Sequence, residues 1–315
     1  MPAQTMPAQT MPAQTMPAQN TAQIPLPAHA LRAVLERAYA EDAPHGDITS
    51  LVLIPDSARA TAELRARVPG VFSGGPVIEA GFRFHDPEAQ VDLVVGEGEE
   101  FSAGAVLARV AGRAREILTA ERVVLNLVQR MSAIATLTAR YVALTQGTNA
   151  RIVDTRKTTP GLREVERYAV RCGGGRNHRF SLSDAVMAKD NHLAVLTGGD
   201  PALLTDVLRA ARERLGHTTH FEVEVDSIEQ IEPVLAAGVD TIMLDNFTPE
   251  QLREGVAIVA GRAIVEASGG VNLDTVADIA AAGVDVISVG ALTHSIVNLD
   301  LGLDVVLDAA EGGRA

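Results

Sequence analysis

Lys157 and Lys189 are the only lysines in a chain of 315 residues, and arginine supplies the rest of its 27 cationic side chains. A lysine ammonium is a compact point charge with three mobile donors, which the planar fork of arginine does not reproduce. Both lysines fall in one basic stretch. It begins Asp154-Thr-Arg156-Lys157, continues through Cys172-Gly-Gly-Gly-Arg176-Asn177-His178-Arg179, and ends Lys189-Asp190-Asn191-His192. From Arg151 to Lys189, nine Lys/Arg stand against four Asp/Glu, a local charge of +5 in a chain of net charge −13. A cationic island in an acidic protein predicts a small, strongly anionic ligand held locally. The acidity of the remainder disfavours nucleic acid, which needs a broad basic footprint.

Other residue groups carry complementary chemistry. The Arg/Lys/His cluster suits carboxylate recognition, because arginine binds a carboxylate bidentately. Glu222, Glu224 and Asp226 alternate, so on a strand they share one face. Glu224 with Asp245 suits a hydrated magnesium ion, which takes one or two carboxylates plus substrate phosphate oxygens. Ser268-Gly269-Gly270, with Gly290 beyond it, suits a phosphate held by backbone N–H groups. Plainer readings stand beside these. Paired glycines are common in turns, Gly173–Gly175 included, and alternating acids commonly line a solvated face. A single cysteine, Cys172, and the lack of tight His/Cys spacing disfavour zinc.

The elements that must position these groups follow from periodicity. Residues 28–40 and 116–141 have helical spacing. Between them, residues 58–114 hold short alternating runs separated by Gly-rich turns at 73–76 and 96–98, an antiparallel pattern. Beyond residue 150, strands are expected at 151–154, 185–188, 221–225, 241–244, 263–266 and 286–289. Helices are expected at 227–237, 249–259 and 273–282. Repeated β-α units with polar residues at the strand ends predict an α/β barrel whose chemistry collects at the C-terminal rim. An open doubly wound sheet is the alternative, although no G-x-G-x-x-G opens the first unit. Residues 1–20 are four near-identical copies of Met-Pro-Ala-Gln-Thr and read as a disordered tail. No apolar run approaches the ~18 residues that span a bilayer. No charged leader precedes an apolar segment, so a cytoplasmic protein with no membrane partner is expected.

The motifs together resemble one family. They are Glu41-Asp42, Gly46-Asp-Ile-Thr49, Glu121-Arg122, Thr155-Arg-Lys-Thr-Thr-Pro-Gly-Leu-Arg163, Tyr168-Ala-Val170, Gly173-Gly-Gly-Arg-Asn-His-Arg179, Lys189-Asp-Asn-His192, Glu222-Val-Glu-Val225, Met243-Leu-Asp-Asn-Phe247, Glu266-Ala-Ser-Gly-Gly270 and Ser288-Val-Gly290. In this order they look like quinolinate phosphoribosyltransferase, over a stretch from about Leu31 to the C-terminus. The resemblance implies an N-terminal open α/β sandwich over 25–130, after a tail at 1–24. It implies an incomplete, seven-stranded α/β barrel over 131–292, then a C-terminal helical segment at 293–315 packing back on the first domain. It implies quinolinate and phosphoribosyl pyrophosphate as substrates, Mg2+ as cofactor, and a role in NAD biosynthesis.

The same resemblance implies a homodimer with shared active sites, a higher oligomer being left open. Arg156, His178, Arg179 and Lys189 would hold the two carboxylates of quinolinate, with Arg122 reaching in from the partner subunit. Lys157, Glu224 and Asp245 would serve phosphoribosyl pyrophosphate and its magnesium. Ser268, Gly269, Gly270 and Gly290 would receive the 5-phosphate. Lys157, Lys189, Glu224 and Asp245 are the catalytic candidates. Two positions depart from the family's usual pattern. Arg167 replaces a common lysine and keeps its charge, and Ala188 replaces a bulkier aliphatic residue before Lys189. Rival readings are a paralogous phosphoribosyltransferase for another small anion, a non-catalytic sensor of the same ligands, and an aldolase using Lys189 as a Schiff base.

Overall fold

The computed structural model describes residues 24–306. The repeat tail expected over 1–24 therefore lies outside the described residues except for Ile24, and so do residues 307–315. Among the described residues, no helix is long and apolar enough to cross a membrane.

The N-terminal part opens with α1 (Ala28–Asp42), which buries Leu31, Val34, Leu35 and Tyr39 along one face. The short α2 (Ile48–Leu53) is capped by the Asp47 carboxylate, which accepts from the Thr49 and Ser50 amides. It leaves Ile48, Val52 and Leu53 at least 69% exposed. A sheet follows, with β1 (Arg59–Ala66), β3 (Gln90–Leu93) and β5 (Val106–Arg113). The pair β2 (Gly70–Val71) and β4 (Glu100–Phe101) forms a separate small sheet. All these pairings are antiparallel, as the alternation predicts.

Between β2 and β3, the chain forms α3 (Gly75–His85), where the sequence suggested only a turn. Proline in its first turn favours the start. The first amides are capped from outside: Gly74 and Gly75 N–H groups donate to the carboxylate of Glu97, more than twenty residues away. No local capping residue announces that helix.

The long α4 (Ala114–Leu144) runs unbroken through the expected boundary at residue 130 and is shared by both parts. One stripe, including Val124, Val128, Met131, Ile134 and Ala135, is buried. It meets α3 on one side and α5 (Arg163–Cys172) on the other. The approach is close: a Cβ on Gly173 would lie 2.4 Å from the Ala135 carbonyl oxygen. This glycine is a packing requirement, not merely a flexible turn.

Strands and helices then alternate. The strands are β6 (Arg151–Val153), β7 (Val186–Ala188), β8 (Phe221–Val225), β9 (Thr241–Asp245), β10 (Ile264–Ser268) and β11 (Val286–Ser288). The helices between them are α6 (Asp190–Thr197), α7 (Leu204–Arg212), α8 (Ile231–Ala236), α9 (Pro249–Val259), α10 (Val276–Ala281) and α11 (Ala291–His294). The sheet order is β6-β11-β10-β9-β8-β7, with parallel pairing throughout. A seventh position exists only as one parallel bridge, Arg176 beside Val153. The barrel therefore has six strands and a single rung where a seventh would lie. Phe221, Val223, Ile242, Leu244, Val265, Ala267 and Ile287 are buried and alternate with Glu222, Glu224, Met243, Asp245, Glu266 and Ser268. A period of two thus splits an apolar set, for the helix layer, from a polar set, for the barrel interior.

The C-terminal segment differs from the helical expectation. After α11, the chain forms β12 (Leu301–Val306), paired antiparallel with β1 from Leu301↔Ala66 to Val306↔Thr61. A short apolar run is ambiguous in isolation, and the open edge of β1 decides it.

Candidate active site

A cavity of about 610 Å³ opens at the C-terminal ends of the barrel strands. Its lining gathers the basic residues Arg156, Lys157, His178, Arg179 and Lys189 with Glu224, Asp245, Ser268, Gly269 and Gly270. Eleven of the twelve site residues expected from sequence are thus together, counting Gly290, which packs against the Lys157 side chain. Arg122 is the exception. It sits on α4 with its side chain 58% exposed, contacts Glu121 at 3.5 Å, and does not line this cavity. Thr155, Met187, Met243, Asn246, Glu266 and Ser288 also line it. Neither motif nor spacing marks the two methionines.

The cationic side is built on loops braced from behind. Asp154, read from sequence as a rim residue, is instead fully buried. Its carboxylate accepts from Arg167 Nη1 at 3.2 Å, Asn177 Nδ2 at 2.5 Å and the His178 amide at 2.8 Å. Burial pushes this carboxyl up to about 6, against the Arg167 guanidinium and the hydrogen bonds that favour its charge. Arg167 also donates from Nη2 to the His178 carbonyl at 2.6 Å and from Nη1 to the Arg179 carbonyl at 3.2 Å. A second brace serves the Lys157 loop. Arg130 donates to Glu166 at 2.7 Å, to Thr159 Oγ1 at 2.9 Å and to the Thr293 carbonyl at 2.9 Å. Thr293 Oγ1 in turn donates to the Lys157 carbonyl at 2.9 Å.

Arg156 lines the cavity, with its Nε buried and unpartnered among the described residues. Arg179 donates from Nη1 to the Ala185 carbonyl at 2.9 Å, which fixes one edge of its fork. His178 turns its ring inward. Its Nε2 lies 3.3 Å from Glu222 and 3.4 Å from Glu266, both buried acids. Burial opposes a charged ring, but hydrogen bonds to the two acids outweigh it and push His178 up to about 10. The Arg179 amide donates to Nδ1 across 2.7 Å, so the ring proton belongs on Nε2, between the acids. A second ring proton would face that amide. Burial also raises Glu222, so the ring and the two acids share the protons of one coupled cluster. The three groups lie within 4.8 Å of one another, close enough for a metal, but a proton on Nε2 occupies the lone pair a metal would need.

Acids adjoin these cations: Glu224 forms an ion pair with Lys189, and Asp245 accepts from Asn246 Nδ2 at 2.6 Å. These two carboxylates on neighbouring strands are hard oxygen donors at the mouth, a set that fits magnesium retaining waters and taking phosphate oxygens. Asp226 is exposed beyond the end of β8 and does not line this cavity, but it lines an adjoining one together with Glu224, Asp245 and Asp190. The phosphate side depends on backbone shape. Gly269 has φ 85° and a Cβ there would lie 2.2 Å from Asn246 Oδ1, so two separate constraints demand glycine. Gly270 follows at φ 60°, and consecutive left-handed residues turn backbone amides into a concave anion cradle.

Comparison with known proteins agrees with this geometry. Residues 47–132 match the family described as quinolinate phosphoribosyl transferase, N-terminal domain, and residues 134–304 match its C-terminal domain. The chain is 42% identical over 285 residues to a carboxylating nicotinate-nucleotide pyrophosphorylase of Mycobacterium leprae, covering 88% of this chain and 97% of that one. It is 39% identical over 308 residues to the chloroplastic carboxylating enzyme of Arabidopsis thaliana, covering 91% and 86% respectively. The solved nicotinate-nucleotide pyrophosphorylase of Francisella tularensis superposes with a TM-score of 0.82 at 34% identity, over 89% of this chain and 98% of that chain. With both family regions matched in order and the barrel mouth carrying the expected residues, the chain belongs to the quinolinate phosphoribosyltransferase family.

Proposed function

We propose that this enzyme joins quinolinate to phosphoribosyl pyrophosphate, giving nicotinate mononucleotide, pyrophosphate and carbon dioxide, a step of NAD biosynthesis. The observation that carries this reading is a mouth cavity that gathers Arg156, Lys157, Arg179 and Lys189 with Glu224, Asp245 and the Ser268–Gly270 turn. Two polyanions repel each other in water. Fixed positive charges offset that repulsion and orient the reactants, which can supply several kcal/mol of barrier reduction.

Arg156, Arg179 and Lys189 hold the acceptor carboxylates, with His178 as the inner wall beside them. The pyridine nitrogen attacks C1 of the ribose while pyrophosphate leaves. Lys157, packed against Gly290, meets the donor phosphates, and Ser268, Gly269 and Gly270 receive the 5-phosphate. Magnesium, when bound by Glu224 and Asp245 directly or through water, neutralises charge on the diphosphate. The C2 carboxylate then departs as carbon dioxide, leaving its electron pair on C2 beside the cationic ring nitrogen, and C2 takes up a proton from solvent to give the product. Fixed positive charges near that position stabilise this state as well as bind the acceptor.

The proposal extends to a homodimer. Arg122 stands away from its own mouth and projects into solvent, which fits donation to a neighbouring site. The uncovered apolar face of α2 offers a contact surface for such a partner. The cytoplasm is the proposed compartment, which fractionation tests. The reaction itself is tested by incubating the protein with both substrates and magnesium, then measuring nicotinate mononucleotide, pyrophosphate and carbon dioxide together. Equal yields of the three, dependent on magnesium, are expected. Pyrophosphate release without carbon dioxide would move the reading to another acceptor.

A further inference from the structure

We propose that Arg167 is a positioning residue for the acceptor half of the reaction, aiming the His178–Arg179 pair through its two guanidinium arms. The inference rests on the reading above. The residues it concerns lie outside the substrate cavity, on the far side of the loop that lines it.

Arg167 is on α5, with its side chain 7% exposed, and Asp154 beside it is fully buried. One arm, Nη2, donates to the His178 carbonyl at 2.6 Å. The other, Nη1, reaches the Arg179 carbonyl and the Asp154 carboxylate, each at 3.2 Å. Asp154 then accepts from the His178 amide at 2.8 Å. Both peptide faces of His178 are thus tied to one buried ion pair. Asn177 closes the ring, donating to Asp154 at 2.5 Å and to the Arg167 carbonyl at 2.9 Å.

This loop has no strand to hold it. Only a single bridge, at Arg176, stands where a seventh barrel strand would lie. The guanidinium and its acid replace the missing ladder there. In this chain, where arginine replaces the family's common lysine, three acceptors at different directions are served by two separated nitrogens of one rigid plane. A lysine would have to serve them from one point. The face of Arg167 also sits 5.4 Å from the Phe180 ring, which fixes the plane further. The phosphate cradle lies at the end of β10 and, among the described residues, meets this network only through His178, whose Nε2 is 3.4 Å from Glu266.

The test is Arg167→Lys, which keeps the buried charge, with Asn177→Ala as a second variant that leaves the charge pair in place. Wild-type protein must first release pyrophosphate and carbon dioxide in equal amounts; failure there refutes the function and not the brace. With wild type active, Arg167→Lys is expected to raise KM for quinolinate about tenfold, the scale of one charged hydrogen bond. KM for phosphoribosyl pyrophosphate should stay within about twofold, and Asn177→Ala should move the same constant in the same direction. Guanidinium added to Arg167→Gly is expected to recover acceptor affinity in part. Equal rises in both KM values, or none in either folded variant, would overturn the proposal.

Discussion

The two walls of the barrel mouth are held by different means. On the cationic wall, Arg156, Lys157, His178 and Arg179 sit between β6 and β7, where buried side chains brace their loops (Asp154 with Arg167, Glu166 with Arg130), and Lys189 follows β7. On the phosphate wall, the backbone of β10 and its turn is itself the device, with Gly269 and Gly270 in left-handed conformations. A side-chain brace can be loosened in steps. A backbone cradle is formed or it is not. The acceptor side should therefore respond to substitution gradually, and the phosphate side abruptly.

The largest expected effect tests the abrupt side. Gly269→Ala places a methyl group where 2.2 Å separates it from Asn246 Oδ1, in a conformation that also strains any L-residue. Strain of ~1–3 kcal/mol plus a displaced turn predicts roughly a hundredfold loss of kcat/KM for the phosphoribosyl donor. A loss under about threefold would mean that the turn adapts and the contrast between the walls is wrong.

A smaller signal comes from subunit mixing, which asks whether the cationic wall alone is completed by a partner. Arg122→Ala and Lys189→Ala proteins, each inactive, should regain about a quarter of wild-type activity after random exchange of dimer subunits. Half of the dimers are then mixed, and one of their two sites is intact. No recovery in verified mixed dimers would confine the site to one chain.

A pH dependence of stability, with no effect on either ligand alone, isolates the brace. Asp154 faces Arg167 from α5 and Asn177 and His178 from the following loop, and burial pushes it up to about 6. A carboxyl raised in the folded state binds its proton more tightly there than in the unfolded chain. Its contribution to stability is present near pH 4 and is lost as pH rises toward 6, by on the order of 2–3 kcal/mol. Denaturant titrations across that window should show the slope in wild type and its loss in Asp154→Asn. An unchanged slope would remove Asp154 as its source.

The same contrast explains what the sequence disclosed. Where structure is written locally, the reading held: α9 begins at Pro249 because Thr248, Pro249 and Gln251 form a capping box that sequence alone displays. The glycine cradle was legible for the same reason. Where structure depends on distant partners, it was not. The helix α3 takes its cap from Glu97, and β12 takes its strand form from β1. In the site, residue types marked the cationic wall, since two lysines among many arginines stand out. Their support did not. Asp154 was read as a rim group although its partners bury it, and Arg167 was read only as a retained charge. Neither alternation nor spacing reports which side chains share a hydrogen-bond network across helix and loop.

The most direct test of the two-wall account is equilibrium binding in a two-by-two design. Quinolinate and phosphoribosyl pyrophosphate with magnesium would each be titrated into Arg179→Ala and Gly269→Ala by calorimetry. The account predicts that Arg179→Ala loses quinolinate affinity by about 10- to 100-fold, from a lost charged pair, and keeps the donor. Gly269→Ala should do the reverse. Loss of both ligands in both folded variants would contradict it, because the walls would then be one coupled site.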